Sequence, residues 1–281
     1  MVYLKKFTLL DEIQEHNIEF NEERRNIFNN YYPLHLFSSK SFKEINFDKI
    51  TIFYGGNGSG KTTLINMISQ KLNASRKSPI DKGSYFDLYV EHCDYEMSFE
   101  QPITSDDVFD YLIDVRSINA NVNRQKERLS KEYLDYKFNN NGNSFDNYDE
   151  LKMSYDSKRK SMSKFVRERL GNNNIIEWSN GESALMFWER EIKEDSIYIL
   201  DEPENSLSAE NQLKLKRFIE DSTRFYNCQF IISTHSPFLL KLMDAKIYDL
   251  DDTPVVTKKW TELSNVLVYY NFFKQYEEEF D

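Results

Sequence analysis

Cysteine is nearly absent from this chain: Cys93 and Cys228 are the two among 281 residues. They stand far apart and not at metal-ligand spacing, which excludes a disulfide framework and a zinc site. Long apolar runs are missing too, since no window approaches the roughly 18 consecutive apolar residues of a membrane span. The opening stretch, MVYLKKFTLLDEIQEHNIEF, has no sustained apolar run ahead of its acidic residues, so no signal peptide is expected. Positive charge is not in excess: 36 basic residues face 47 acidic ones, for a net charge of −11. That balance argues against non-specific wrapping of nucleic acid or an anionic membrane, while leaving a local basic patch open. No internal repeat is visible. Together these absences lead us to expect a soluble chain in a reducing, cytoplasmic compartment, without membrane insertion.

Apolar and aromatic residues, by contrast, are plentiful. Hydrophobic residues make up 40% and aromatic residues 15% of the chain, so it can bury a sizeable core and is not chiefly disordered. The length suits two domains, or one large α/β domain with an inserted lobe.

Ile50 to Tyr54 is a short apolar run read as a buried strand, and Leu64, Ile65, Ile68 and Leu72 recur at helical spacing just beyond it. Thr104-Ser105-Asp106-Asp107 reads as a helix start, with hydroxyls to cap and carboxylates on the positive end of the dipole. Charged, helix-prone sequence follows, broken at Asn139-Asn140-Asn141-Gly142-Asn143 by an expected hairpin tip. Strands are expected again at Ile197–Leu200 and Gln229–Thr234, around a helix at Ala209–Tyr226, with a helical aromatic tail from Leu263 to Phe280. Apolar runs alternating with helices imply a parallel sheet, here split by a helical insertion. The expected layout is a core of residues 1–103 and 179–281, with a helical lobe at 104–178.

Two motifs carry the chemistry. Gly55-Gly56-Asn57-Gly58-Ser59-Gly60-Lys61-Thr62 matches G-x-x-x-x-G-K-[ST] without a mismatch, between an expected strand and helix, and Thr63 follows it. Glycines let backbone N–H groups turn inward onto phosphate oxygens, and the helix adds the positive end of its dipole. Lys61 would neutralise the β- and γ-phosphates of ATP, and the Thr62 hydroxyl would ligate Mg2+. The second motif is Asp201-Glu202-Pro203 at the end of an apolar strand, where α/β sheets bind ligands. Asp201 would hold the magnesium opposite Thr62, and Glu202 would act as general base on the attacking water.

With these motifs in place the chain resembles the ATP-binding cassette (ABC) class of ATPases. Three further segments carry the resemblance: Trp178-Ser179-Asn180-Gly181-Glu182-Ser183 for the signature loop, Asn205-Ser206-Leu207-Ser208 for the D-loop, and Thr234-His235-Ser236 for the switch histidine. The flanks and length are similar to small stand-alone bacterial ABC-type ATPases labelled "AAA family". The resemblance implies an α/β P-loop NTPase core with an inserted helical lobe, working as an ATP-dependent homodimer. Ser179 and Gly181, with Glu182 beside them, would then face the partner's nucleotide, and His235 would hydrogen-bond the γ-phosphate. It also implies a magnesium-sensing glutamine at the junction with the lobe, for which Gln101 is the candidate. Two positions depart from the class: Asn180 replaces the first signature glycine and Glu182 a glutamine, a change expected to weaken the closed dimer.

Residues 120–170 carry 12 basic and 8 acidic groups, and Lys158 to Arg169 holds most of the excess. A basic helix there could approach a partner's nucleotide, an acidic effector protein or nucleic acid; the net charge makes nucleic acid the less favoured reading. Missing cysteine pairs and heptads exclude a zinc hook or coiled-coil extension. The expected function is magnesium-dependent ATP hydrolysis driving dimer closure, in a regulatory ATPase acting with an effector, for example in DNA maintenance or antiphage defence. The alternatives are the nucleotide-binding subunit of an ABC membrane transporter and a scaffold that binds ATP but barely turns over.

Overall fold

The computed structural model describes residues 1–22, 31–75, 80, 82–99, 101–106, 126–139, 155–170, 192–205 and 207–280. It divides into two compact units, Met1–Asp110 with Asn180–Asp281, and Tyr111–Ser179. The first begins with β1 (Leu4–Thr8), α1 (Glu12–Glu22), β2 (Glu44–Asn46) and β3 (Ile50–Tyr54), followed by α2 (Lys61–Lys71), α3 (Phe86–His92), β4 (Asp94–Met97) and β5 (Ile103–Asp106). Every residue of β3 is buried, as expected of a strand covered on both faces in a parallel sheet.

The second unit contributes helical residues at 126–139 and 155–159, then α4 (Met162–Leu170). The chain re-enters the first unit with β6 (Ile197–Asp201), α5 (Ala209–Phe225), β7 (Gln229–Ser233), the short α6 (Pro237–Leu240), β8 (Lys246–Asp249), β9 (Val256–Lys258) and α7 (Ser264–Gln275). The expected hairpin tip at 140–143 lies outside the described residues.

A six-stranded sheet runs in the order β5-β6-β7-β3-β8-β9, parallel except for β9. β3, β7 and β6 are adjacent, so the loops leaving their C-terminal ends share one edge of the sheet. α5 packs by its apolar stripe, burying Leu215 and Ile219, and starts where Ser208 accepts the Asn211 N–H.

The run Thr104-Ser105-Asp106 is strand, not the helix start its composition suggests. It extends β5 alongside β6, with Ser105 opposite Ile199 and Asp106 opposite Leu200. Hydroxyls and carboxylates look like a helix cap in sequence, but here they sit on the edge strand of the sheet.

A second sheet was not legible in the sequence: antiparallel β2-β1-β4. Its Leu4, Phe7 and Ile45 join Phe53 of β3 and Leu64, Met67 and Ile68 of α2 in one buried cluster. Gln229, fully buried at the start of β7, fastens this sheet to the larger one. Its Oε1 accepts from the Tyr3 and Leu4 N–H groups at 2.9 Å, and its Nε2 donates to Leu4 O at 2.9 Å and Asp48 O at 3.1 Å. Both lone pairs and both amide hydrogens are therefore used.

In the second unit Phe165 of α4 is fully buried, with Tyr133 edge-on at 5.3 Å and the Arg169 guanidinium 3.7 Å over its ring. Two basic groups of the segment are paired with carboxylates. Lys160 pairs with Asp156 at 3.0 Å and Glu168 at 2.6 Å, and Arg169 pairs with Asp156 at 3.2 Å. Asp156, just ahead of the segment, is the carboxylate that a count over 158–169 omits.

Candidate functional site

The phosphate loop joins β3 to α2 as its sequence demands. Gly60 ends it at φ +103°, a left-handed conformation, and a Cβ there would come within 3.1 Å of the Phe37 ring. At Gly55 a Cβ would lie 2.5 Å from Ser59 Oγ, so only glycine lets the loop fold this tightly. Lys61 is buried, and its Nζ donates to Gly55 O at 2.8 Å and Gly56 O at 3.1 Å, folded over the loop it follows. Among the described residues Ser59 Oγ, though buried, has no hydrogen-bond partner, and no side chain caps the N-terminus of α2. A loop with a buried ammonium, an unpaired hydroxyl and uncapped helix amides suits a polyphosphate.

Two braces of this loop were missed by sequence reasoning. Lys40 Nζ donates to Ser59 O at 2.9 Å and Leu250 O at 2.7 Å, tying the loop to the segment after β8. The Asp251 carboxylate accepts the Gly56 N–H with both oxygens.

Asp201 ends β6, facing Ser233 on β7. The Ser233 hydroxyl hydrogen-bonds its carboxylate, and the Thr62 hydroxyl stands near enough to lower its pKa. Burial raises the Asp201 pKa; the Ser233 and Thr62 hydroxyls oppose that rise, the Glu202 charge adds to it and the Lys61 charge opposes it. Thr62 and Asp201 thus stand together, one hydroxyl and one carboxylate. That donor set fits Mg2+, which keeps several waters and takes one or two carboxylates beside substrate phosphates. Among the described residues no group of three or more His, Cys, Asp and Glu side chains could hold a metal by itself.

Glu202 follows with φ +44°, an uncommon left-handed backbone for a side chain of this size, held by its N–H donating to Ser233 O at 3.0 Å. This turn directs Glu202 Oε1 to 3.6 Å from Lys61 Nζ and 3.6 Å from His235 Nδ1, while Oε2 accepts from Asn205 Nδ2 at 3.2 Å. His235 leaves β7 with its ring half exposed. The loop, Asp201, Glu202 and His235 are therefore brought together. Beside them opens a cleft of about 470 Å³, whose walls include Gly55, Asn57, His235, Asp251 and Asn265.

Gln101 is not brought to this site. It precedes β5, at the end of the parallel strands where Pro102 O accepts from the Ile197 N–H, whereas Asp201 lies at the other end of β6. The misplacement follows from reading 104–107 as a helix: the strand β5 intervenes between Gln101 and the site edge. Ser179, Gly181 and Glu182 lie outside the described residues. Among the aromatic residues ahead of the loop, Phe37 is fully buried and Tyr31 stacks on Tyr85, while Tyr32 is exposed and shares a 2.6 Å hydrogen bond with Thr63.

The fold and the site define an ABC-like P-loop ATPase, a protein that binds and hydrolyses ATP. Residues 70–241, more than half of the chain, match a family of such proteins, and the chain belongs to it: "AAA domain, putative AbiEii toxin, Type IV TA system". The matched span takes in Asp201, Glu202 and His235.

Among solved structures the chain is similar to a metal-chelate type ABC transporter in an inward-facing conformation, with 19% identity over 80% of each chain and a TM-score of 0.36. It is also similar to the SMC head domain from Thermotoga maritima, at 14% identity over 92% of this chain and 98% of that one, TM-score 0.35. A third is the Smc head domain with an extended coiled coil bound to the C-terminal domain of ScpA, derived from Pyrococcus furiosus, at 14% identity, covering 96% and 100% of the two chains, TM-score 0.42. No curated protein matches the chain. Among the described residues no helix is long and apolar enough to cross a membrane.

Proposed function

We propose that the chain is a magnesium-dependent ATPase of ABC type in which Glu202 is the general base and two copies close on ATP to complete the site. The observation that carries this reading is Glu202 Oε1, equidistant at 3.6 Å from Lys61 Nζ and His235 Nδ1. A carboxylate between the phosphate-loop lysine and a histidine can accept a proton from water attacking beside the γ-phosphate. Lys61 and the loop amides from Asn57 to Thr63 hold the phosphates. Thr62 and Asp201 hold the magnesium, which when bound neutralises charge developing on the phosphate oxygens. His235 hydrogen-bonds the γ-phosphate and keeps Glu202 oriented. Ser179, Gly181 and Glu182 act on the ATP of the partner copy.

The family description names a type IV toxin–antitoxin system, which supports a cytoplasmic regulatory ATPase that works with an effector protein rather than a membrane subunit. Glu202→Gln tests the centre of the proposal. ATP binding should persist while hydrolysis falls at least about a hundredfold, the scale of a lost general base. With ATP the variant should also accumulate as a dimer in light scattering. Wild-type turnover in this variant would remove Glu202 from the base role.

A further inference from the structure

The main chain of His235 is gripped from two sides. Its N–H donates to Glu204 Oε1 at 3.0 Å, and its carbonyl accepts from Asn265 Nδ2 at 2.9 Å. Glu204 lies in the turn that follows β6, and Asn265 is the second residue of α7, so the two grips come from different elements.

The Glu204 grip is extensive and energetically unfavourable in isolation. The same Oε1 accepts from Thr234 Oγ1 at 2.5 Å and from the Ser236 N–H at 3.2 Å, so it spans the residues on both sides of His235 as well. The side chain is buried, its second oxygen has no hydrogen-bond partner among the described residues, and burial raises its pKa. A buried carboxylate with one unsatisfied oxygen costs stability, and such costs persist where a loop must be held in one conformation. With N–H and C=O both fixed, the His235 ring keeps only its side-chain torsions, and Nδ1 stands 3.6 Å from Glu202 Oε1 and 3.7 Å from Glu204 Oε1.

The Asn265 grip is separable from the seating of α7. The helix start is held independently, because the Asn265 N–H donates to Tyr54 Oη at 3.0 Å and the Ser264 hydroxyl shares a 2.9 Å hydrogen bond with the same oxygen. The Asn265 side-chain amide is thus free to serve His235 alone.

We propose that Glu204 and Asn265 are positioning residues for ATP hydrolysis, fixing the His235 main chain so that its ring stands at Glu202, and that α7 thereby controls turnover. The proposal rests on the reading of His235 as a residue acting at the γ-phosphate.

The test measures kcat, KM for MgATP and equilibrium ATP binding for Asn265→Ala, Glu204→Gln, Glu204→Ala, His235→Ala and the double variant Asn265→Ala/His235→Ala. Asn265→Ala should lower kcat about three- to tenfold, the scale of one lost hydrogen bond, with KM and binding unchanged. Glu204→Gln keeps an accepting carbonyl and should stay within about threefold of wild type, while Glu204→Ala should fall further. If Glu204→Ala does not fold, the Asn265 arm carries the test. In the His235→Ala background, Asn265→Ala should cause no further loss, since it acts only through that histidine.

An unchanged kcat in Asn265→Ala, or an equal loss in both backgrounds, overturns the proposal. Normal turnover in His235→Ala overturns the underlying reading instead, so the two failures are distinguishable.

Discussion

Asp251 accepts the backbone N–H of Gly56 with both carboxylate oxygens, at 3.0 and 2.8 Å, across 195 residues of sequence. The first amide after Gly55 is thereby committed to the segment following β8, and the loop's curvature is fixed before any nucleotide arrives. Preorganisation of this kind lowers the cost of binding rather than the barrier to chemistry. Asp251→Ala should therefore raise KM for ATP about three- to tenfold with kcat little changed, and Asp251→Asn, which keeps one acceptor, should do less. Steady-state kinetics check this; an unaltered KM removes Asp251 from the binding apparatus.

The composite-site reading makes a complementation prediction. Lys61→Ala should abolish ATP binding, and Ser179→Arg should block hydrolysis while leaving binding to the single chain nearly intact. In an antiparallel sandwich both defects can fall on the same site, leaving the other intact. Mixing the two inactive variants should therefore restore part of the ATPase rate. Failure at every mixing ratio would point to action within one chain, or to two sites that must fire together.

Burial raises the pKa of Asp201, and that sets a sign for pH dependence. An acid whose pKa is higher in the folded chain binds more protons there than when unfolded. Its contribution to stability falls as pH rises from the ordinary aspartate value through the raised one. Above the ordinary aspartate range this shift thus weakens the nucleotide-free protein. Asp201→Asn should raise Tm at pH 7, lose the gain as pH drops below the ordinary aspartate range, and abolish magnesium-dependent turnover. A lower Tm at pH 7 would contradict this.

The pairing of Lys160 with Asp156 and Glu168 bears on the basic segment. Reversing the exposed Lys158 and Lys164 to Glu should shift stability by at most about half a kcal/mol. Lys160→Glu should lower Tm by more than that pair of changes, because it turns two attractive contacts repulsive. Neither change should alter turnover, and the native protein should give no salt-sensitive gel shift with DNA or RNA. A shift lost on reversing Lys160, Lys164 and Arg167 would establish a nucleic-acid surface.

What the sequence made legible was local. Gly55 to Thr62 declares itself because one tight backbone path dictates residue types at adjacent positions, and Asp201-Glu202 because an apolar strand ends abruptly in carboxylates. Asp251, Lys40, Gln229 and Asn265 act alone, each reaching an amide or carbonyl far along the chain, and a single polar residue has no spacing to betray it. Thr104–Asp106 was misread for the opposite reason: its local signal is real, but pairing with β6 overrides it. That error also displaced Gln101.

The position of β3 has a consequence for how the protein is made. Its neighbours are β7 and β8, with Ile50 paired to Phe230 and Thr51 to Lys246. A ribosome working at about 5–20 residues per second must add some 180 residues, roughly 10 to 40 seconds of synthesis, before either neighbour emerges. Through that interval Ile50–Tyr54 is an unpaired apolar strand, the kind of segment that aggregates or recruits a chaperone. Long-range pairing of this sort also slows folding from the denatured state. The phosphate loop, written early in the chain, is among the last parts of the protein to take its working shape.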